Sequence, residues 1–182
     1  MKSSTSSRTK STRARSTNRH ARRILLVDDD STVRDSLNDV LQSEGYLVIP
    51  AEHGQQALDL ANKSSVDLVL LDLNMPVKNG WDTFEQLTRE HPLIPIIIVT
   101  ARPNQLFTAI NAGVGALMEK PMDIPVLLRT MERLLAESAE RRLARLAGQN
   151  PEFHYKPATA SRVSSPRKVS LRSLHDERTG GT

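Results

Sequence analysis

The chain has 182 residues, no cysteine and a formal net charge of +4 at pH 7. Its length suits one domain with extensions, and the lack of cysteine excludes disulfides, thiol catalysis and cysteine-based zinc sites. No apolar run approaches the roughly 20 residues of a membrane span, so we expect a cytoplasmic protein without a membrane partner.

The charge is distributed unevenly along the chain. Residues 1–23 carry eight basic and no acidic side chains, whereas 24–138 have a net charge of −9 and 139–182 one of +5. Both ends are also rich in Ser and Arg and poor in apolar residues, so we predict disordered basic tails at 1–23 and 149–182. Such tails could bind nucleic-acid phosphates weakly, but solvated tails are the simpler interpretation.

Between the tails, short apolar runs alternate with amphipathic segments. The apolar runs predict five strands, at 24–27, 46–50, 68–71, 94–99 and 116–118. Helices are predicted after each strand, from Ser31 to Gly45, around 57–61, from Gly80 to His91, over 104–112 and from Pro125 onward. This alternation indicates an α/β fold, with a parallel sheet covered by helices on both faces and joined by right-handed crossovers.

The last predicted helix could continue past Ser138 to about Gly148. Over 139–148 the only large apolar residues are Leu143 and Leu146, so this extension is not expected to pack deeply against its own domain. We therefore set a domain at 24–138 and treat 139–148 as a possible solvated extension of the last helix. A homodimer contact through that extension is the alternative.

Ionisable or hydroxyl side chains stand where four of the predicted strands end. They are Asp28 with Asp29, Asp72, Thr100 and Lys120. Because the carboxyl ends of parallel strands lie at one edge of the sheet, these groups should meet in one cleft. Clustered carboxylates need a cation between them, and all-oxygen ligands suit Mg²⁺. Together with a lysine and a threonine, they predict a phosphoryl-transfer site with an aspartate nucleophile.

Four motifs around these residues resemble the receiver domain of bacterial two-component response regulators. They are Leu26-Val27-Asp28-Asp29, Leu71-Asp72-Leu73-Asn74-Met75-Pro76, Val99-Thr100-Ala101 and Lys120-Pro121. The resemblance spans 24–138 in the same order and spacing. It implies a flavodoxin-like fold, in which five parallel strands have the order 2-1-3-4-5.

The resemblance also implies a role for each site residue. Asp72 would be the phospho-acceptor, Lys120 would contact the phosphoryl group, and Thr100 would move toward it on activation. The implied Mg²⁺ ligands are Asp28, Asp29, Asp72 and the backbone carbonyl of Asn74. The Lys120–Pro121 peptide bond would be cis, a form that is cheap only before proline.

As a receiver, the chain would assist only its own phosphorylation and dephosphorylation and would not act as an enzyme on other substrates. The phosphoryl donor would be a sensor histidine kinase or a phosphotransfer protein, and the signal would pass to an unknown protein target by direct contact. One departure concerns that signal. Leu117 stands where the family often has an aromatic residue that reports phosphorylation.

A second family shares part of the pattern. Asp28-x-Asp30-x-Thr32 resembles the nucleophile motif of haloacid-dehalogenase-type phosphatases, which would make Asp28 the nucleophile and Asp30 the general acid. This alternative leaves Asp72 unexplained, and the sequence lacks the late acidic pair and the cap domain of that family.

Overall fold

The computed structural model describes residues 21–75, 79–102, 104–149 and 153–157, and the backbone of 168–169. The strands in these ranges are β1 (Arg23–Val27), β2 (Leu47–Ala51), β3 (Leu68–Asp72), β4 (Ile96–Thr100), β5 (Ala116–Glu119), β6 (Phe153–Lys156) and β7 (Lys168–Val169). They form one sheet in the order β2-β1-β3-β4-β5-β6-β7. The first five pair in parallel, so the predicted flavodoxin-like core with order 2-1-3-4-5 is confirmed.

The helices connect the strands as the alternating pattern predicts. They are α1 (Ser31–Ser43), α2 (Gly54–Lys63), α3 (Gly80–Glu90), α4 (Leu106–Asn111), α5 (Ile124–Leu135) and α6 (Ala139–Leu146). Side-chain caps define several starts, since Asp30, Asn79 and Asp123 each accept a backbone N–H of the first turn. None of the helices in the described part of the chain is long and apolar enough to cross a membrane.

The sheet separates two apolar layers. On one face, alternate residues of the strands pack against α1 and α5, with Leu41 and Met131 fully buried. On the other face they pack against α2, α3 and α4, where Phe84 and Ala109 are buried. Strands β3 and β4 are buried along their whole length, because helices cover both faces of a parallel sheet.

The prediction that the last helix runs on to about Gly148 is wrong. Helix α5 ends at Leu135, and α6 starts after its own N-cap, Ser138, whose hydroxyl accepts the Arg141 N–H. The prediction that 139–148 stays outside the core is also wrong, because Arg142 and Arg145 are each only 5% exposed. The alternative of a homodimer contact through this segment stays a prediction.

Two arginines can be buried here because their charges are paired. Arg145 Nη2 lies 2.6 Å from Glu137 Oε2, and Arg142 Nε lies 3.4 Å from the same oxygen. Arg145 Nη1 also donates to the Gly113 carbonyl at 2.6 Å. A buried charge is tolerated when it is paired and hydrogen bonded, so a sequence that looks solvated can still pack against the domain.

The prediction of a disordered tail over 149–182 is wrong for two short segments. Residues 153–156 form β6, which pairs in parallel with β5, and 168–169 form β7, antiparallel to β6. Phe153 is 6% exposed and belongs to the core on the α4 side of the sheet. The tail predicted for 1–23 lies outside the described residues except for 21–23, where Arg23 begins β1.

Candidate functional site

The carboxyl ends of four neighbouring strands meet at one edge of the sheet. Asp28 follows β1 directly, Asp72 ends β3, Thr100 ends β4, and Lys120 follows β5. The register aligns these ends, because Asp72 pairs with Val99 and Thr100 pairs with Glu119. The predicted convergence is present in the structure, and Asp28, Asp72 and Thr100 are all buried.

Lys120 lies between the two buried carboxylates. Its Nζ is 2.7 Å from Asp28 Oδ2 and 2.9 Å from Asp72 Oδ2. Burial raises the pKa of Asp28 and outweighs the opposing effect of Lys120. Burial lowers the pKa of Lys120, but the hydrogen bonds to the two aspartates more than offset this, so its pKa lies above the ordinary value. The lysine is therefore positively charged near neutral pH, at the centre of the site.

The other carboxylate oxygens are held by backbone amides. Asp28 Oδ1 accepts the Asp30 N–H at 3.0 Å, and Asp72 Oδ1 accepts the Asn74 N–H at 2.9 Å. Each aspartate thus closes a local turn at the point where its strand ends. These bonds fix the direction of both carboxylates before any ligand binds.

Asp29 adds a third carboxylate, on the solvent side. Asp28, Asp29 and Asp72 each offer an oxygen within 4.8 Å of the others, with Asp29 exposed. Mg²⁺ prefers such oxygen donors and keeps several waters in its shell. A set with two buried carboxylates and one open, exposed side fits that requirement.

Two other predicted residues have partners of their own. Thr100 is completely buried, and its hydroxyl accepts the Arg102 N–H at 3.0 Å. The side chain of Asn74 accepts Arg102 Nε at 3.1 Å. The ligand role of the Asn74 carbonyl stays a prediction. Lys120–Pro121 is cis, as predicted.

Sequence reasoning missed the part played by two residues. Arg102 links the loops after β3 and β4 through the contacts just described, and its position beside the Val99-Thr100-Ala101 motif was the available signal. The sequence indicates Gly80 only as a helix start. A Cβ at Gly80 would lie 2.4 Å from Leu73 Cα and 2.7 Å from the Asp72 carbonyl oxygen, so only glycine lets α3 approach the Asp72 loop this closely.

Asp30 does not join the acidic group. It is exposed, and its Oδ1 accepts the Thr32 and Val33 N–H groups as the N-cap of α1. The phosphatase alternative needs Asp30 as a general acid beside Asp28. The structure instead brings Asp72 beside Asp28, which that alternative leaves without a role.

Comparison with known proteins matches residues 24–132 to the response regulator receiver domain. The transcriptional regulatory protein CpxR of Escherichia coli K12 is 41% identical over 118 residues, which are 64% of this chain and 50% of CpxR. The response regulator MprA of Mycolicibacterium vanbaalenii is 38% identical over 115 residues, 62% of this chain and 50% of MprA. The matched region thus spans about half the length of these curated relatives.

Solved structures agree in fold. A CheY-like receiver domain protein of Methanospirillum hungatei superposes with a TM-score of 0.61 at 30% identity, covering 64% of this chain and 94% of that one. The response regulator TrrA of Thermotoga maritima, solved with Mg²⁺ and beryllofluoride, gives 0.59 at 29% identity and covers 62% of this chain and 98% of its own.

Proposed function

The chain belongs to the family of response regulator receiver domains, and from this premise we propose that Asp72 accepts a phosphoryl group. The donor is a phosphohistidine of a sensor histidine kinase or phosphotransfer protein. The observation that carries the proposal is the buried Asp72 carboxylate, held at Oδ1 by the Asn74 amide and at Oδ2 by Lys120. The Asn74 amide therefore orients the carboxylate before attack.

The transfer step forms one bond to phosphorus and breaks one. An electron pair of an Asp72 oxygen forms the O–P bond, and the pair of the breaking P–N bond returns to the imidazole nitrogen of the donor. Lys120 moves from Asp72 Oδ2, which its Nζ contacts at 2.9 Å, to the phosphoryl oxygens and neutralises their charge, and the Thr100 hydroxyl donates to one of them. Dephosphorylation is a separate step, in which water attacks phosphorus, the Asp72 O–P bond breaks with its electron pair on the carboxylate, and inorganic phosphate and a proton are released.

Asp28, Asp29, Asp72 and the carbonyl of Asn74 are the residues that hold Mg²⁺ in this proposal. When bound, Mg²⁺ supplies positive charge to the phosphoryl oxygens and to the crowded carboxylates. The protein's own contribution is to position the acids and to keep Lys120 charged. The chain assists its own phosphorylation and dephosphorylation and signals to a downstream protein by direct contact.

Beryllofluoride titration with Mg²⁺ tests the proposal, because beryllofluoride mimics a phosphoryl group on an aspartate. Trp81 is the only tryptophan, and its Nε1 donates to Gln105 Oε1, just before α4, at 2.9 Å. Its fluorescence therefore reports on the segment that follows Thr100. The wild type should give a Mg²⁺-dependent change, Asp72→Asn none, and the exposed control Asp35→Asn the same change as the wild type.

A phosphoryl donor that needs no protein partner, such as acetyl phosphate, gives a covalent readout. Mass spectrometry should find one added phosphoryl group on the wild type and none on Asp72→Asn. A response that survives Asp72→Asn and disappears only in Asp28→Asn would place the nucleophile after β1 and favour the phosphatase class. A wild type that responds to neither reagent would be a receiver that works by binding alone.

A further inference from the structure

Strand β6 occupies the outer edge of β5. Its register places His154, Tyr155 and Lys156 beside Ala116, Leu117 and Met118. Phe153 anchors the strand in the apolar layer on the α4 side, and Tyr155 packs against the same layer. The edge of β5 is thus covered by a later segment of the same chain.

Tyr155 connects this strand to the end of β5. Its hydroxyl donates to Glu119 Oε1 at 2.6 Å, and Glu119 immediately precedes Lys120. Burial, together with the hydrogen bond and the negative charge of Glu119, raises the pKa of Tyr155 to about 12. The hydroxyl is therefore protonated and able to donate near neutral pH. A hydrogen bond to a carboxylate is among the stronger kinds in proteins.

The end of β5, at Glu119 and Lys120, is restrained by contacts on two sides. On the inner side, the Lys120 N–H donates to the Thr100 carbonyl of β4 at 2.9 Å. On the outer side, Glu119 is tied to β6 through Tyr155. With both restraints in place, the Lys120 ammonium lies between Asp28 and Asp72.

That arrangement competes with activation. In the proposed function, Asp28 and Asp72 would supply oxygens to Mg²⁺ and Asp72 bonds to phosphorus, so Lys120 has to leave its shared position between them. Any contact that fixes the end of β5 in the present arrangement raises the free energy of that movement. A ligand can shift such an equilibrium only by its differential affinity for the two arrangements.

We propose that Tyr155 is a positioning residue: through Glu119 it holds Lys120 on Asp28 and Asp72, so that docking of β6 opposes phosphorylation of Asp72. This inference rests on the proposed function of the site. By linkage, the coupling is reciprocal. Phosphorylation therefore loosens β6 from β5.

The test compares Tyr155→Phe with the wild type in the full chain. Phenylalanine keeps the ring and removes only the hydroxyl. The expected midpoint for beryllofluoride with Mg²⁺ is about five-fold lower in Tyr155→Phe, a coupling at the low end of the usual range. Lys156→Met is the matched control on the same strand, because the Lys156 ammonium lies 3.8 Å from Asp123 Oδ2. Its midpoint should equal that of the wild type.

Hydrogen exchange gives a readout without metal or beryllofluoride. In the metal-free protein, the Lys120 amide should exchange faster in Tyr155→Phe than in the wild type or in Lys156→Met. In the wild type, saturating Mg²⁺ and beryllofluoride should speed exchange across 153–156. Glu119→Met should reproduce the effect of Tyr155→Phe on the midpoint, and the double variant should add nothing, as expected for two residues acting through one contact.

The outcomes separate this inference from the proposed function. A wild type that fails to respond, or an Asp72→Asn variant that responds, overturns the proposed function and the inference with it. A normal wild-type response with an unchanged or higher midpoint in Tyr155→Phe overturns only the inference. Equal shifts in Tyr155→Phe and Lys156→Met also overturn it, because they would reflect general loosening of β6 and not the Glu119 contact.

Discussion

The ammonium group of Lys120 forms ion pairs with two buried carboxylates, those of Asp28 and Asp72. Lys120 is 2.7 Å from Asp28 and 2.9 Å from Asp72, yet burial still leaves the pKa of Asp28 above its ordinary value of 3.8. An ionised Asp28 therefore lowers the free energy of unfolding of the metal-free protein. Residues kept for function often carry such a cost.

This cost predicts that Asp28→Asn is at least as stable as the wild type near neutral pH without metal. The gain follows from the direction of the shift, because burial disfavours the charged form of Asp28. An acid with a raised pKa binds more protons folded than unfolded, so wild-type stability from this group falls as pH rises through the folded pKa. The advantage of Asp28→Asn should therefore shrink as pH is lowered toward 4, which urea unfolding at both pH values measures.

Asp30→Asn is the control for this prediction. Asparagine caps helices as well as aspartate does, so its stability should stay within about 0.5 kcal/mol of the wild type and its beryllofluoride response should persist. An Asp28→Asn variant clearly less stable than the wild type at neutral pH would show that the Lys120 pair outweighs the cost of burial.

At the scale of elements, the C-terminal helix differs most from expectation. Leu143 is 47% exposed while Arg142 and Arg145 are buried, the reverse of what an amphipathic pattern predicts. Helix α6 packs closely on the turn after α4, where a Cβ at Gly113 would lie 2.9 Å from Leu146 Cα. The helix is held by charge pairing and close backbone approach more than by apolar burial.

Two glycines with nearly the same positive φ test that packing. Gly113 has φ +70° and Gly148 has φ +71°, but a Cβ at Gly148 would meet nothing within 4 Å. Both alanine variants carry the cost of a left-handed residue, and Gly113→Ala should cost about 1–3 kcal/mol more because of the clash with α6. Urea unfolding of the two variants measures the difference. Equal losses would show that α6 is free to move away from Gly113.

At the scale of the whole molecule, β6 extends the receiver sheet past β5. Phe153 is the buried residue of that strand and lies among the side chains that α4 covers. If β6 contributes to the fold, it does so mainly through this ring, since core phenylalanines carry several kcal/mol of stability. The segment that covers the β5 edge is then also a part of the core.

Phe153→Ala should therefore lower the free energy of unfolding by about 3 kcal/mol. Phe107→Ala is the matched control, because Phe107 is 63% exposed on α4, and it should change stability by less than about 0.5 kcal/mol. A chain ending at Gln149 should lose about as much stability as Phe153→Ala. A truncated chain as stable as the wild type would show that β6 adds nothing to the sheet.

Much of the fold and of the site follows from the sequence alone. Buried parallel strands are uniformly apolar, so the runs from Leu68 to Leu71 and from Ile96 to Val99 predict strands directly. Functional side chains of such folds lie at the carboxyl ends of these strands. That logic located Asp28, Asp72, Thr100 and Lys120 without coordinates. The order of the first five strands followed from the family resemblance of the same motifs.

Tertiary structure decided what depends on distant partners. Arg145 is buried because Glu137 and the Gly113 carbonyl meet it, and a local pattern of charged residues cannot reveal such pairing. The four residues of β6 are too few for periodicity to identify, and they form a strand because β5 offers an open edge. Gly80 and Arg102 matter through close approach to the Asp72 loop. Local sequence therefore determined the receiver core, and long-range packing determined how the C-terminal segment covers it.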